Sequence, residues 1–111
     1  MKQTTIYDFL EESSPAYNFV ESIHTELATN ANKISPTFIS SLVTQSVVKY
    51  NQLTGNMRVC TITLPTGHEV IGIAQVLDSS NDIESIGNQV ALTNATNELW
   101  KLVGTIAKLF I

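Results

Sequence analysis

The pattern of apolar and polar positions predicts two helices, then three strands, then one long helix. Two helix starts share a signature, in which a serine at the N-cap precedes a proline at the first helical position: Ser14-Pro15 and Ser35-Pro36. Apolar residues follow each of them at helical spacing. The order α-α-β-β-β-α indicates an α+β fold in which helices cover one face of a three-stranded antiparallel sheet.

The strands are predicted at residues 47–52, 57–64 and 68–76, separated by turn residues around Gly55 and Gly67. The middle strand alternates, so that Cys60, Ile62 and Leu64 point to one face. The opposite face carries Val59 and two threonines, and we therefore expect only one face of this strand to be buried.

The last helix is the longest periodic segment, at residues 81–110, and Asn81 with Glu84 resembles a capping box at its start. At about 100° per residue, one apolar face is expected to cover the sheet. Its members are Ala91, Leu92, Ala95, Leu99, Leu102, Val103, Ile106, Leu109 and Phe110. A second, uncharged stripe, called the Trp100 stripe here, consists of Gln89, Thr93, Thr96, Asn97, Trp100 and Gly104.

Composition limits the architecture and the partners. A chain of 111 residues, 43% hydrophobic, predicts a single domain at 1–111, with residues 1–12 as an arm. The net charge of −4 and the single arginine, Arg58, argue against a nucleic-acid surface but leave room for a small anion site. One cysteine, no long apolar run and no signal-peptide pattern predict a cytoplasmic protein without disulfides or membrane spans.

The second half of the sequence resembles a family of small tailed-phage proteins known from phages N4 and Sf6. The resemblance covers about residues 33–111, a family-like core, and rests on segments that follow one another in order. They are CTITLPTGHEVIG at 60–72, Asn81-Asp82, Ile86-Gly87, Asn94-Ala95 and LWKLVG at 99–104. The resemblance implies a phage protein, and it brings no assigned activity.

Catalytic and metal sites find little support in the sequence. His24, His68 and Cys60 have no metal-ligand spacing, so neither a metal nor a cofactor is predicted. Cys60 alternates with apolar residues and is expected to be a core residue rather than a nucleophile. Acidic residues near the last helix, Asp82 and Glu84, fit a helix start better than a catalytic pair. We therefore expect a protein that is not an enzyme.

A binding site is predicted where the first two strands meet. Lys49 and Tyr50 lie on one strand and Arg58 on the next, so the three would converge if these strands pair. An arginine fork suits phosphate or carboxylate, and a tyrosine ring offers a stacking face. The alternative is an exposed strand edge that carries charge against aggregation.

The Trp100 stripe leaves three alternatives open. Trp100 packs against the N-terminal helices, or it is buried against a partner subunit together with Thr93, Thr96 and Gly104, or it stacks on a ligand. An aromatic ring on an uncharged surface with space beside it is typical of the centre of an interface.

These features predict a non-enzymatic phage accessory protein that self-associates through the long helix or the sheet. It would act in anti-defence by sequestering a small anionic nucleotide-type ligand, such as a host immune signal, between subunits. The predicted ligand-binding residues are Arg58, Lys49, Tyr50, Trp100 and Asn97. The alternative function is binding and redirecting a host protein through the arm and the acidic surface; nucleic acid and membranes are not expected partners.

Overall fold

The computed structural model describes residues 6–75 and 83–111, apart from the side chain of residue 8. It confirms the predicted order α-α-β-β-β-α and the α+β fold. A short 3-10 helix comes first, at Ile6–Phe9. The elements that follow are α1 (Pro15–Thr29), α2 (Pro36–Gln45), β1 (Val47–Thr54), β2 (Met57–Thr63), β3 (Glu69–Gln75) and α3 (Glu84–Ala107).

The first two helices begin as the serine-proline signals predict. The Ser14 and Ser35 hydroxyls each accept a hydrogen bond at 3.1 Å, from the backbone N–H of Tyr17 and of Phe38. The Glu26 carboxylate on α1 accepts two further bonds from Ser35, at 2.9 Å from its N–H and 2.7 Å from its hydroxyl. These bonds tie the end of α1 to the start of α2.

The sheet is antiparallel in the order β1-β2-β3, with β2 in the centre. Cys60 lies opposite Tyr50 on β1 and Gly72 on β3, and Ile62 lies opposite Val48 and Val70. These residues share the face that the helices cover, where Cys60 and Ile62 are fully buried. The predicted burial of Cys60 and Ile62 is confirmed. The expectation that only one face of β2 is buried is wrong at Val59, which lies on the opposite face and is 8% exposed.

The helix α3 lies on β2 and β3 and buries every fourth residue. These residues are Gly87, Ala91, Ala95, Leu99, Val103 and Ala107. A Cβ added to Gly72 would lie 2.1 Å from Ala91 O and 2.1 Å from Ala95 N, so the helix backbone rests directly on β3. The Asn94 side chain also donates a 2.7 Å hydrogen bond to the Ile73 carbonyl of the same strand. The close approach is possible because small residues meet here.

The predicted apolar face of α3 is wider than the buried one. Leu109 is 62% exposed, because the helix ends at Ala107 and Leu109 lies beyond its last turn. The predicted capping box is wrong for Glu84, which was expected in the third helical position and is the first helical residue. Ile83 occupies the N-cap and makes no side-chain hydrogen bond there. Asn81 and Val76, the last residue of the third predicted strand, lie outside the described residues.

The described part of the predicted arm docks on the other helices through an aromatic cluster. The Tyr7 ring lies 5.2 Å from Tyr17 and 5.8 Å from Phe110, measured between ring centres. The His24 ring stacks on Phe110 at 4.3 Å, and the Tyr7 hydroxyl lies 3.3 Å from His24 Nδ1. The 3-10 helix, α1 and the residues after α3 therefore meet at one end of the molecule.

Candidate functional site

The pairing of β1 with β2 brings two of the three predicted strand residues together. Arg58 lies opposite Gln52, and Tyr50 lies opposite Cys60, so Arg58 and Tyr50 share the helix-covered face. Lys49 is the neighbour of Tyr50 on β1 and points to the opposite face, because side chains alternate along a strand. The predicted convergence therefore holds for Arg58 and Tyr50 but not for Lys49, which is exposed.

Arg58 and Tyr50 line a cleft of about 190 Å³ between the sheet and the start of α3. The other lining residues are Asn51, Gln52, Glu84 and Asn88. The sequence contains signals for two of them: Gln52 is two residues from Tyr50 on the same strand, and Asn88 is one helical turn after Glu84. We call this site the Arg58 cleft.

The Arg58 side chain runs beneath the first turn of α3. A Cβ added to Gly87 would lie 2.6 Å from Arg58 Cδ and 3.1 Å from Nε, so the glycine leaves the space that the arginine occupies. Gly87 thus belongs to the site, although nothing in the sequence marked it beyond its place in the phage-family pattern. The contact positions the arginine at the helix start.

The Arg58 cleft contains groups that attract anions and one acidic residue, Glu84, that repels them. The guanidinium and the backbone N–H groups of a helix start both favour negative charge. Glu84 opposes them and can accept hydrogen bonds from hydroxyl groups. Burial, and secondly the Cys60 thiol, raise the pKa of the Tyr50 hydroxyl, so at neutral pH Tyr50 is a hydrogen-bond donor.

Trp100 does not reach this cleft within one subunit. At about 1.5 Å per residue, it lies roughly 20 Å along α3 from Gly87. Trp100 is half-buried against the hydrophobic core, to which α1 and α2 contribute residues such as Ile23 and Leu42. Both helices contact α3, and Trp100 keeps part of its surface exposed, so the three alternatives for this residue stay predictions.

The rest of the Trp100 stripe is more open. Asn97 and Thr93 are exposed, and Thr96 is half-buried. The Thr93 and Thr96 hydroxyls donate to carbonyls of their own helix, at 3.0 and 2.8 Å. A Cβ added to Gly104 would meet nothing within 4 Å, so space is present beside this residue.

Cys60 has the surroundings of a core residue. It is fully buried, and desolvation raises the pKa of its thiol. Within residues 6–75 and 83–111, no group of three or more His, Cys, Asp and Glu residues could hold a metal ion. No helix in this part of the chain is long and apolar enough to cross a membrane.

Comparison with known proteins places the sequence in one family. The Phage protein (N4 Gp49/phage Sf6 gene 66) family matches residues 20–109. The matched region starts in α1, earlier than residue 33, and includes the Arg58 cleft and the Trp100 stripe. No match was found among curated proteins or solved structures. Because the match covers most of the 111 residues, this chain belongs to the N4 Gp49/phage Sf6 gene 66 family of phage proteins.

Proposed function

We propose that this phage protein is a non-enzymatic accessory protein that sequesters a small anionic nucleotide-type ligand, such as an immune signal of the host, in the host cytoplasm. The observation that supports this proposal is the convergence of Arg58 and Tyr50 at the start of α3, in a cleft of about 190 Å³. An arginine, a helix start and an aromatic ring are the groups that bind a phosphate next to a ring system.

Each group of the Arg58 cleft matches one part of a nucleotide. Arg58 and the first turn of α3 would bind a phosphate. Glu84 would accept hydrogen bonds from ribose hydroxyls, as acidic residues do in dinucleotide sites. Tyr50 offers its ring face and its hydroxyl, and the Gln52 amide can pair with a base edge. The ligand class is therefore a phosphorylated sugar with a base, rather than a bare inorganic anion.

The size of the cleft favours a site shared between subunits. Small-molecule pockets usually measure about 300–1,000 Å³, whereas the Arg58 cleft has about 190 Å³. Part of a nucleotide would therefore lie outside it. In our proposal a neighbouring subunit covers that part, with Trp100 and Asn97 as the residues that reach across and with Thr93, Thr96 and Gly104 at the contact.

We propose binding without turnover because of the groups that line the cleft. Glu84 is the one carboxylate among its described lining residues, and Tyr50 is protonated at neutral pH. Catalysis of phosphate transfer or hydrolysis would call for a positioned nucleophile together with a base. Sequestration needs only affinity.

A nucleotide panel tests the proposal. The purified protein would be melted with cyclic and linear nucleotides, and a ligand at about 100 times its Kd should stabilise the fold by about 2.7 kcal/mol. Arg58→Gln should weaken binding at least tenfold, a loss of about 1.4 kcal/mol. Lys49→Gln is the matched control, since it removes a positive charge from the neighbouring strand but on the opposite face. Absence of a melting shift with every nucleotide at millimolar concentration would refute the proposal.

A second candidate function is the binding of a host protein, and one observation favours it. Phe9 is 78% exposed at the end of the 3-10 helix, next to the exposed Glu11 and Glu12. An exposed aromatic ring beside charged residues is typical of a protein contact. Phe9→Ala should abolish capture of a stoichiometric partner from bacterial lysate, whereas Leu109→Ala, a second exposed apolar residue, should not. Failure of the wild type to capture any stoichiometric partner would count against this function.

A further inference from the structure

The sheet has one face that no described helix covers. Alternation along the strands gives this open face one row of side chains from each strand. Its members are Val47, Lys49 and Asn51 on β1, Met57, Val59, Thr61 and Thr63 on β2, and Glu69, Ile71, Ile73 and Gln75 on β3. The helices lie on the other side, over Cys60 and Gly72.

The open face carries exposed apolar residues at positions where a solvated face would be polar. Ile71, Ile73 and Val47 are 51%, 47% and 55% exposed, whereas Val59, at the centre of the face, is already buried within the subunit. Antiparallel sheets that face water on one side alternate apolar residues inside with polar residues outside. Contiguous β-branched side chains on the outside of a sheet mark an interaction surface.

We propose that this open face binds a second copy of the chain, face to face, to form a two-fold symmetric dimer. This surface is separate from the contact through the Trp100 stripe in the proposed function, because α3 lies on the other side of the sheet. The dimer does not depend on nucleotide binding. The charges on the face indicate the partner. Lys49 lies on β1 and Glu69 on β3, and they are the charged residues of the described open face.

A two-fold axis parallel to β2, running between the two sheets, places β1 of one subunit over β3 of the other. Each Lys49 then approaches Glu69 of the partner subunit, and its alkyl stem lies over Ile71 of the partner subunit. The two β2 strands face each other, and Ile73 lies opposite Asn51 of the partner subunit. Lys49 lies at the same height along the strands as Ile71, which is two residues from Glu69. Lys49 and Glu69 of the partner subunit are therefore offset by about 7 Å along the strand, a distance that the two side chains can span together. A second copy supplies each of these contacts twice through symmetry.

The size of the face predicts a modest affinity. Three strands about 4.8 Å apart and seven residues of about 3.3 Å each give a flat area of roughly 330 Å². With the relief of the side chains, two such faces bury on the order of 1,000 Å² in total, the lower end for a specific interface. We expect a dimer that forms at micromolar rather than nanomolar concentrations.

Sedimentation equilibrium of the full chain from low to high micromolar concentration tests the dimer. Ile71→Thr combined with Ile73→Thr keeps strand-forming residues and should weaken dimerisation roughly tenfold or more, because apolar area is lost from both subunits. Ile86→Thr is the control, since Ile86 is 56% exposed but lies on α3. Circular dichroism would verify that each variant is folded. A wild type that stays monomeric at 500 µM, or a dimer that the Ile71→Thr and Ile73→Thr changes leave intact, would overturn the inference.

Charge reversal tests the identity of the occupant and the direction of the axis. Lys49→Glu and Glu69→Lys should each weaken the dimer, because like charges then meet twice. An equimolar mixture of the two variants should restore dimerisation to near the wild-type level, since each contact in the mixed dimer again joins opposite charges. Failure of the mixture to recover would rule out this arrangement. The nucleotide assay is read separately on Arg58→Gln, so the failure of either proposal can be recognised on its own.

Discussion

Gly72→Ala should destabilise the protein strongly, because β3 touches the backbone of α3 at this residue. The added Cβ would lie 2.1 Å from Ala91 O and from Ala95 N, whereas ordinary contacts start at 3.4 Å. Both of these atoms belong to the main chain, so no side chain can rotate away. Either the helix or the strand must move by more than 1 Å, a change that also strains the 2.7 Å bond between Asn94 and Ile73.

The magnitude follows from two opposing effects. Replacing glycine by alanine inside a strand is favourable by about 0.5–1 kcal/mol when there is room for the methyl group. Inserting a methyl group into a filled space typically costs about 1–3 kcal/mol, and rigid backbone on the far side brings the cost to the upper end. The net loss is about 2 kcal/mol, which corresponds to a decrease in Tm of roughly 8 °C for a domain of this size.

Urea unfolding followed by circular dichroism, with calorimetry for Tm, would measure the change. Gly104→Ala is the matched control, because the same substitution on α3 meets nothing within 4 Å. Alanine should there raise the stability by about 0.5–1 kcal/mol, as expected inside a helix. If Gly72→Ala melts at or above the wild-type temperature while Gly104→Ala is stabilised, the direct contact between helix and strand is refuted.

Three further predictions follow from the same structure. Gly87→Ala should reduce nucleotide binding severalfold with little effect on Tm, because the displaced atoms belong to the flexible Arg58 side chain; equal affinities by calorimetry would contradict this role. Glu26→Ala should lower the free energy of unfolding by about 1–2 kcal/mol, since Ser35 loses two hydrogen bonds to a carboxylate, and an unchanged urea midpoint would show that water replaces them. The three tyrosines have raised pKa values in the folded protein, so they lose their protons at a higher pH than in the unfolded chain. Their contribution to the free energy of unfolding should be complete below pH 10 and should be lost as the pH rises above 10. Tyrosinate absorbance should show a midpoint above 10.0 in the folded protein and near 10.0 in urea.

The candidate site could be predicted in part. Alternation along a strand is a local property, so the pairing of β1 with β2 was enough to bring Tyr50 and Arg58 to one face. The same alternation puts Lys49 on the face opposite Tyr50. The predicted convergence of all three residues was therefore wrong for Lys49. Glu84 and Asn88 come from an element that is distant in sequence, and only the crossing of α3 over the sheet brings them to Arg58.

The long helix shows the same division between local and distant information. Its periodicity was sufficient to predict an apolar face toward the sheet, because a helix must bury such a stripe. The end of that face was not predictable, since the last turn depends on how the residues near Phe110 pack on His24 and Tyr7. The surroundings of Trp100 likewise depend on where α1 and α2 lie against α3.

The sequence by itself determined the order of the elements, the two capped helix starts and the burial of Cys60 and Ile62 on β2. Each of these depends on residues close together in the chain, where period, capping and turn chemistry act directly. Only the tertiary structure decided that Gly72 lets α3 rest on β3, that Gly87 makes room for Arg58, and that one face of the sheet is left open. These features arise where separate elements meet, and distances of that kind depend on packing between residues far apart in the chain.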